Sequence, residues 1–127
     1  MIYGIGIDVV EPQRISRLVE KYGERFARRV LTPLEWPAYL RTTRPVLFLA
    51  NRFAAKEAFS KAMGTGFRFP VTLQCISVVQ TAAGKPGFAL HPRLDELVKS
   101  RGIISHHLTI SDEQSLACAC VVLEAAP

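Results

Sequence analysis

Cysteine is scarce and poorly spaced for chemistry: the chain has three, Cys75, Cys118 and Cys120, an odd number without a CxxC pair, each inside an apolar alternating stretch. That argues against a disulfide scaffold, and two alternating cysteines on a strand supply too few ligands for a zinc site. They read as buried free thiols. No apolar run approaches the roughly 20 residues of a membrane span, and the start of the chain, Met1 to Gly6, lacks the basic segment and cleavage site of a signal peptide. Both observations point to a cytoplasmic protein with no membrane partner. Repeats, linkers and low-complexity segments are missing, as are zinc-finger or helix-turn-helix spacings and any interleaving of aromatic with basic residues.

What is present suits one domain, residues 1–127, around one core: 49% of the residues are hydrophobic and 21% charged. The net charge of +5 is unevenly spread. Between Pro12 and Leu31 lie six basic residues (Arg14, Arg17, Lys21, Arg25, Arg28, Arg29) against two acidic ones (Glu20, Glu24). A patch of this kind calls for an acidic partner, either an acidic protein or a nucleic acid.

Residues Ile2 to Val10 alternate as a strand, with Ile5, Ile7 and Val9 on one face and Gly4, Gly6, Asp8 and Val10 on the other. The two glycines let something approach the backbone closely beside Asp8. Asp8 is either a functional carboxylate there or, with Glu11, part of the cap region of a helix opened by Pro12. That helix, Pro12 to Tyr22, buries Ile15, Leu18, Val19 and Tyr22, and Gly23 ends it. From Arg25 to Leu31 follows a short basic segment in which Phe26 and Val30 pack. Thr32-Pro33-Leu34-Glu35 has the pattern of a capping box opening a short helix that Pro37 bends or shortens.

A long helix is expected from Val46 to Met63, stopped at Gly64. At 100° per residue Ala50, Phe53, Ala54, Glu57 and Lys61 share one stripe and Phe48, Ala55, Phe59 and Ala62 another, leaving Arg52, Lys56 and Ser60 as a polar flank. Glu57 and Lys61 thus stand in a packed stripe. They are either an i,i+4 ion pair worth about 0.2–0.5 kcal/mol or a cation ligand and a phosphate contact, the second requiring another carboxylate from elsewhere. Beyond Gly66, Val71 to Gln80 reads as a strand returning through a turn at Gly84-Lys85-Pro86 to Gly87–Leu90. A helix over His91–Arg101 follows, then a strand over Ile103–Ser111 with Ser105, His107, Thr109 and Ser111 on a polar face. A last buried strand runs from Leu116 to Leu123. The element order gives an α+β fold, a small, mostly antiparallel sheet packed on a long central helix.

The motifs Gly4-Ile5-Gly6-Ile7-Asp8, Arg52-Phe53-Ala54-Ala55-Lys56-Glu57-Ala58 with Lys61, Gly64-Thr65-Gly66 and Gly84-Lys85-Pro86 stand in the order found in a known family. Together they closely resemble the small bacterial holo-[acyl-carrier-protein] synthases of the 4'-phosphopantetheinyl transferase superfamily, from Ile2 to about Glu124. The resemblance implies that fold, and transfer of phosphopantetheine from coenzyme A to a serine of acyl carrier protein in fatty acid biosynthesis. It implies Mg²⁺ held by Asp8 and Glu57, with Lys61 at the transferred phosphate. Arg52 and His107, with Thr109 beside it, are implied at the nucleotide's 3'-phosphate, and Gly84-Lys85-Pro86 along the adenosine. Without the resemblance, Arg52 reads as a solvated helix charge, His107 as an exposed strand residue and Gly84-Lys85 as a plain turn.

Two positions depart from the family pattern. Val10 stands where larger relatives have a further acidic residue, which leaves water to complete the metal's shell, and Asp112 replaces a second histidine after His107-Leu108-Thr109-Ile110-Ser111. The resemblance further implies that acyl carrier protein meets Arg14, Leu18, Lys21, Arg25, Phe26 and Arg29, and that the chain forms a homotrimer with the cofactor cleft at a subunit boundary. The alternative for the basic patch is a non-catalytic nucleic-acid-binding module, which leaves Asp8 and Glu57 unexplained; the transferase reading needs no nucleic acid.

Overall fold

Strand β1, Ile2–Val10, pairs antiparallel with β5, Ala117–Ala125, which pairs antiparallel with β4, Ile103–Asp112, in the order β1-β5-β4. These elements come from a computed structural model describing residues 1–127. Register fixes the two faces. Gly6, Val121 and Leu108 lie across from one another on the inner face, as do Asp8, Ala119 and Ile110. Ile5, Val122 and His107 form a row on the outer face, and Ile7, Cys120 and Thr109 the next.

Helix α4, Pro45–Met63, lies on the inner face and ends at Gly64, whose φ of 77° is the left-handed stop expected there. Its contact with β1 is backbone on backbone. A methyl added at Gly6 would sit 1.9 Å from the Ala58 carbonyl oxygen, and one at Gly4 would sit 2.0 Å from that of Ala62. Only glycine allows this approach. Around α4, a core of 26 buried residues includes Leu49, Ala54, Ala58, Phe59 and Met63 from the helix with Val121 and Leu123 from β5.

Three short helices precede α4: α1, Pro12–Tyr22, α2, Glu24–Val30, and α3, Trp36–Arg41. The basic segment after Gly23 is therefore a helix of its own. Tyr22, expected inside, is 46% exposed. Beyond α4, one 3-10 turn at Leu73–Cys75 leads to the hairpin of β2, Ile76–Gln80, and β3, Pro86–Leu90, a second two-stranded sheet. The alternation from Val71 marks this turn rather than strand. Helix α5, Pro92–Ser100, is capped by His91 Nδ1, which accepts from the Arg93 N–H at 3.1 Å.

Two expectations need physical correction. The Thr32–Glu35 box does not open a helix: Pro37 stands in the first turn of α3, which begins at Trp36. Glu35 Oε1 does accept from Thr32 N–H at 2.9 Å, but the carboxylate is 1% exposed and also meets the Lys56 ammonium at 2.6 Å. Lys56, expected with Arg52 and Ser60 on a polar flank, is 0% exposed, and the other two are buried beside it. Burial and charge conflict on this flank. A partner carboxylate arriving from 21 residues away makes that burial tolerable.

Candidate active site

The glycine contact sets Asp8 against α4. Asp8 Oδ1 accepts from Lys61 Nζ at 3.0 Å, and the same ammonium donates to the Ile7 carbonyl at 2.9 Å. The Asp8 side chain is largely enclosed while that of Lys61 is half exposed. Neither bland reading from the sequence is realised. Helix α1 has no side-chain cap from Glu11, and Lys61 pairs with Asp8 rather than with Glu57.

Glu57, one turn before Lys61 and half-buried, completes the group. Burial pushes its carboxyl above the usual carboxylate range, and the negative charge of Asp8 pushes it further, against the opposing pull of Lys61 and Arg14. Two carboxylates are thus close enough to repel, which is the electrostatic condition for a bound cation. No group of three or more His, Cys, Asp or Glu side chains gathers anywhere in the chain, and Val10, facing the same way as Asp8, is buried. Two carboxylates without a third suit a cation that keeps water and phosphate oxygens in its shell, such as Mg²⁺, better than one that demands an all-protein cage.

The remaining expected residues are not gathered here. His107 and Thr109 are exposed on the outer face of the sheet, opposite Asp8. The His107 Nε2 meets the Glu124 carboxylate, which also accepts from Ser105 Oγ at 3.2 Å. Those hydrogen bonds hold Glu124 below its ordinary range. Gly84-Lys85-Pro86 closes the β2–β3 hairpin, exposed up to Pro86, with Lys85 N–H donating to Thr81 Oγ1 at 3.1 Å. Arg52, expected at a nucleotide phosphate, is drawn inward: its Nε lies 3.2 Å from Glu35 Oε2, and its guanidinium stacks 4.1 Å over Phe48.

The basic patch has a shape that its composition did not reveal. Leu18, Tyr22, Arg25, Phe26 and Arg29 line a groove of about 360 Å³ between α1 and α2. Arg14 and Lys21 are exposed on the same helix α1, and Arg14 is near enough to act on Glu57. Tyr22 was missed because its helical spacing matches that of the buried residues. Asp112, the departure from the family pattern, accepts from Asn51 Nδ2 at 2.9 Å and so ties the end of β4 to α4.

The sequence profile of the 4'-phosphopantetheinyl transferase superfamily matches residues 4–121. A holo-[acyl-carrier-protein] synthase of Nitrosospira multiformis is 61% identical over 124 residues, 98% of this chain and 99% of that one. Among solved structures, the holo-[acyl-carrier-protein] synthase of Neisseria meningitidis superposes with a TM-score of 0.95 at 47% identity, covering 98% of this chain and 99% of its own. That of Bacillus anthracis, in complex with CoA (3',5'-ADP), superposes with a TM-score of 0.82 at 38% identity, covering 99% of each chain.

Proposed function

The chain belongs to the 4'-phosphopantetheinyl transferase superfamily, and we propose from that footing how its residues divide the work. It transfers the 4'-phosphopantetheine group of coenzyme A to a serine of apo acyl carrier protein, releasing adenosine 3',5'-bisphosphate. The serine oxygen forms a bond to the phosphorus that carries the pantetheine arm. The bond from that phosphorus to the bridging oxygen breaks, and its electron pair stays on the bisphosphate. The serine proton passes to a carboxylate of the pair or to water.

The observation that carries the division of roles is the meeting of Asp8, Glu57 and Lys61 at one edge of the β1–α4 contact. Asp8 and Glu57 would hold Mg²⁺, which when bound neutralises charge on the diphosphate and on the leaving bisphosphate. Lys61, on a half-exposed flexible stem, moves from Asp8 to a phosphate oxygen when substrate arrives. Arg14, Lys21, Arg25 and Arg29 steer the acidic carrier protein to the groove, where Leu18, Tyr22 and Phe26 receive apolar side chains.

The outer face supports a homotrimer with the cleft at a subunit boundary. Ile5, Ile7 and Val9 are each more than half exposed there, an apolar row that a further copy would cover. The same packing would bring His107, Thr109 and the Gly84-Lys85-Pro86 turn of one copy to the nucleotide held at Asp8 of another. No helix is long and apolar enough to cross a membrane, and three free thiols suit the reducing cytoplasm, where we place the reaction. The nucleic-acid reading has no support beyond charge, since Tyr22 and Phe26 line one groove rather than a track of stacking platforms.

Intact-mass measurement of apo acyl carrier protein incubated with the enzyme, coenzyme A and Mg²⁺ tests the assignment. A gain of one phosphopantetheine is expected, and it disappears with EDTA or with Glu57→Gln. Transfer that survives both treatments would remove the metal role of the carboxylates.

A further inference from the structure

Helix α2, which carries Arg25, Phe26 and Arg29 of the docking groove, ends on one backbone bond, from the Leu31 N–H to the Ala27 carbonyl at 2.9 Å, which leaves its last three carbonyls open. The last carbonyls of a helix need partners from outside. Here they come from two side chains. The two N–H groups of Gln74 Nε2 are shared among the carbonyls of Arg28 at 2.8 Å, Arg29 at 3.0 Å and Leu31 at 3.0 Å. Lys56 Nζ takes the remaining one, Val30, at 2.6 Å.

Lys56 is anchored on its other sides as well. Its ammonium donates to Glu35 Oε1 at 2.6 Å and to the Leu73 carbonyl at 3.0 Å, so with Val30 every N–H has an acceptor. Glu35 is held in turn by the N–H groups of Thr32 at 2.9 Å and Val78 at 3.1 Å. A buried ion pair contributes little net stability compared with an apolar pair of the same shape. What it adds is direction, because each bond fixes an angle as well as a distance.

The direction joins two parts of the reaction. Lys56 directly precedes Glu57 on α4, and its ammonium caps the docking helix. We propose that Lys56 and Gln74, with Glu35 as anchor, are positioning residues that hold α2 in register with Glu57, so that a carrier protein in the groove presents its serine to the Asp8–Glu57 pair. This rests on the docking role proposed above for the α1–α2 groove. It makes acceptor use, rather than coenzyme A binding, the property that these residues govern.

The test is steady-state kinetics of the full-length enzyme with apo acyl carrier protein and coenzyme A varied in turn. Two variants are compared: the paired Glu35→Gln/Lys56→Met, which removes both charges of the pair and leaves an amide facing Arg52, 3.2 Å from Glu35 in the native protein, and Gln74→Ala, at an exposed position. Expected is a fall in kcat/KM for the carrier protein of about tenfold in the pair and about threefold in Gln74→Ala, with the KM for coenzyme A unchanged within about twofold. Should the pair fail to fold, Gln74→Ala decides. An unchanged kcat/KM for the carrier protein, or a KM for coenzyme A that rises as much as that for the carrier protein, overturns the inference. Reversal of Arg25 and Arg29 to Glu separates the two levels. If that reversal leaves the carrier protein's KM unaltered, the docking role fails and the positioning role falls with it. If the reversal raises the carrier protein's KM while the positioning variants leave kcat/KM for it unchanged, only the positioning role fails.

Discussion

Burial, and then the charge of Asp8, raise the affinity of the Glu57 carboxyl for a proton, and a cation set beside both carboxylates would relieve that repulsion. Removing either charge should therefore harm catalysis more than folding. Asp8→Asn or Glu57→Gln is expected to lower kcat by at least about 100-fold, measured by holo-protein formation at saturating coenzyme A, with little change in circular dichroism. His106 offers a separate test at residue scale. Its ring packs edge-on to Phe88, with centroids 5.7 Å apart, and its Nδ1 is buried without a partner. Burial, and then the neighbouring His107, lower its affinity for a proton. A base depressed in this way stabilises the fold above its ordinary pKa near 6.5, and that contribution fades as pH falls further. Melting temperature should thus drop more between pH 7.5 and pH 5 in the native protein than in His106→Phe. Equal drops would remove His106 from the acid response. At this scale the sequence singled out Asp8 and Glu57 through their motifs, and the fold sets the two carboxylates near one another. It misjudged Lys56 and Arg52, because helical spacing tells which residues share a face and not which face a distant carboxylate such as Glu35 will cover.

At the scale of elements, most boundaries were legible because proline and glycine write them: α1 lies between Pro12 and Gly23, and α4 between Pro45 and Gly64. The Thr32–Glu35 box misled because its side-chain bond is formed while its carboxylate serves Lys56 and Val78 as well. The strand–helix contact of β1 and α4 yields the clearest prediction here. Gly6→Ala places a methyl 1.9 Å from a carbonyl oxygen that belongs to backbone and cannot swing aside. Destabilisation of about 1–3 kcal/mol or more is expected from urea unfolding, together with loss of transfer as α4 is pushed away from Asp8. A Gly6→Ala variant as stable and active as the original would contradict the contact.

For the whole molecule, the sheet's two faces have opposite fates: one is closed by α4, while the other leaves Ile5, Ile7 and Val9 open. The alternation of β1 was plain in the sequence, but nothing local distinguishes an apolar row that packs in the core from one that stays exposed. Ile7→Asp should shift the protein to a slower-sedimenting species in analytical ultracentrifugation and abolish transfer without altering its circular dichroism. An unchanged sedimentation coefficient would show that the outer face is not the joint between copies. Salt should act on a different surface, raising the KM for acyl carrier protein several-fold between about 0.05 and 0.3 M while barely touching coenzyme A. The glycines of β1 bear on a longer timescale than any of these measurements. Because Gly4 and Gly6 meet α4 through peptide atoms, the gap between the two carboxylates is ruled by the thickness of the main chain, a dimension common to every protein. A substitution elsewhere in the core leaves this gauge untouched as long as both glycines stay in place.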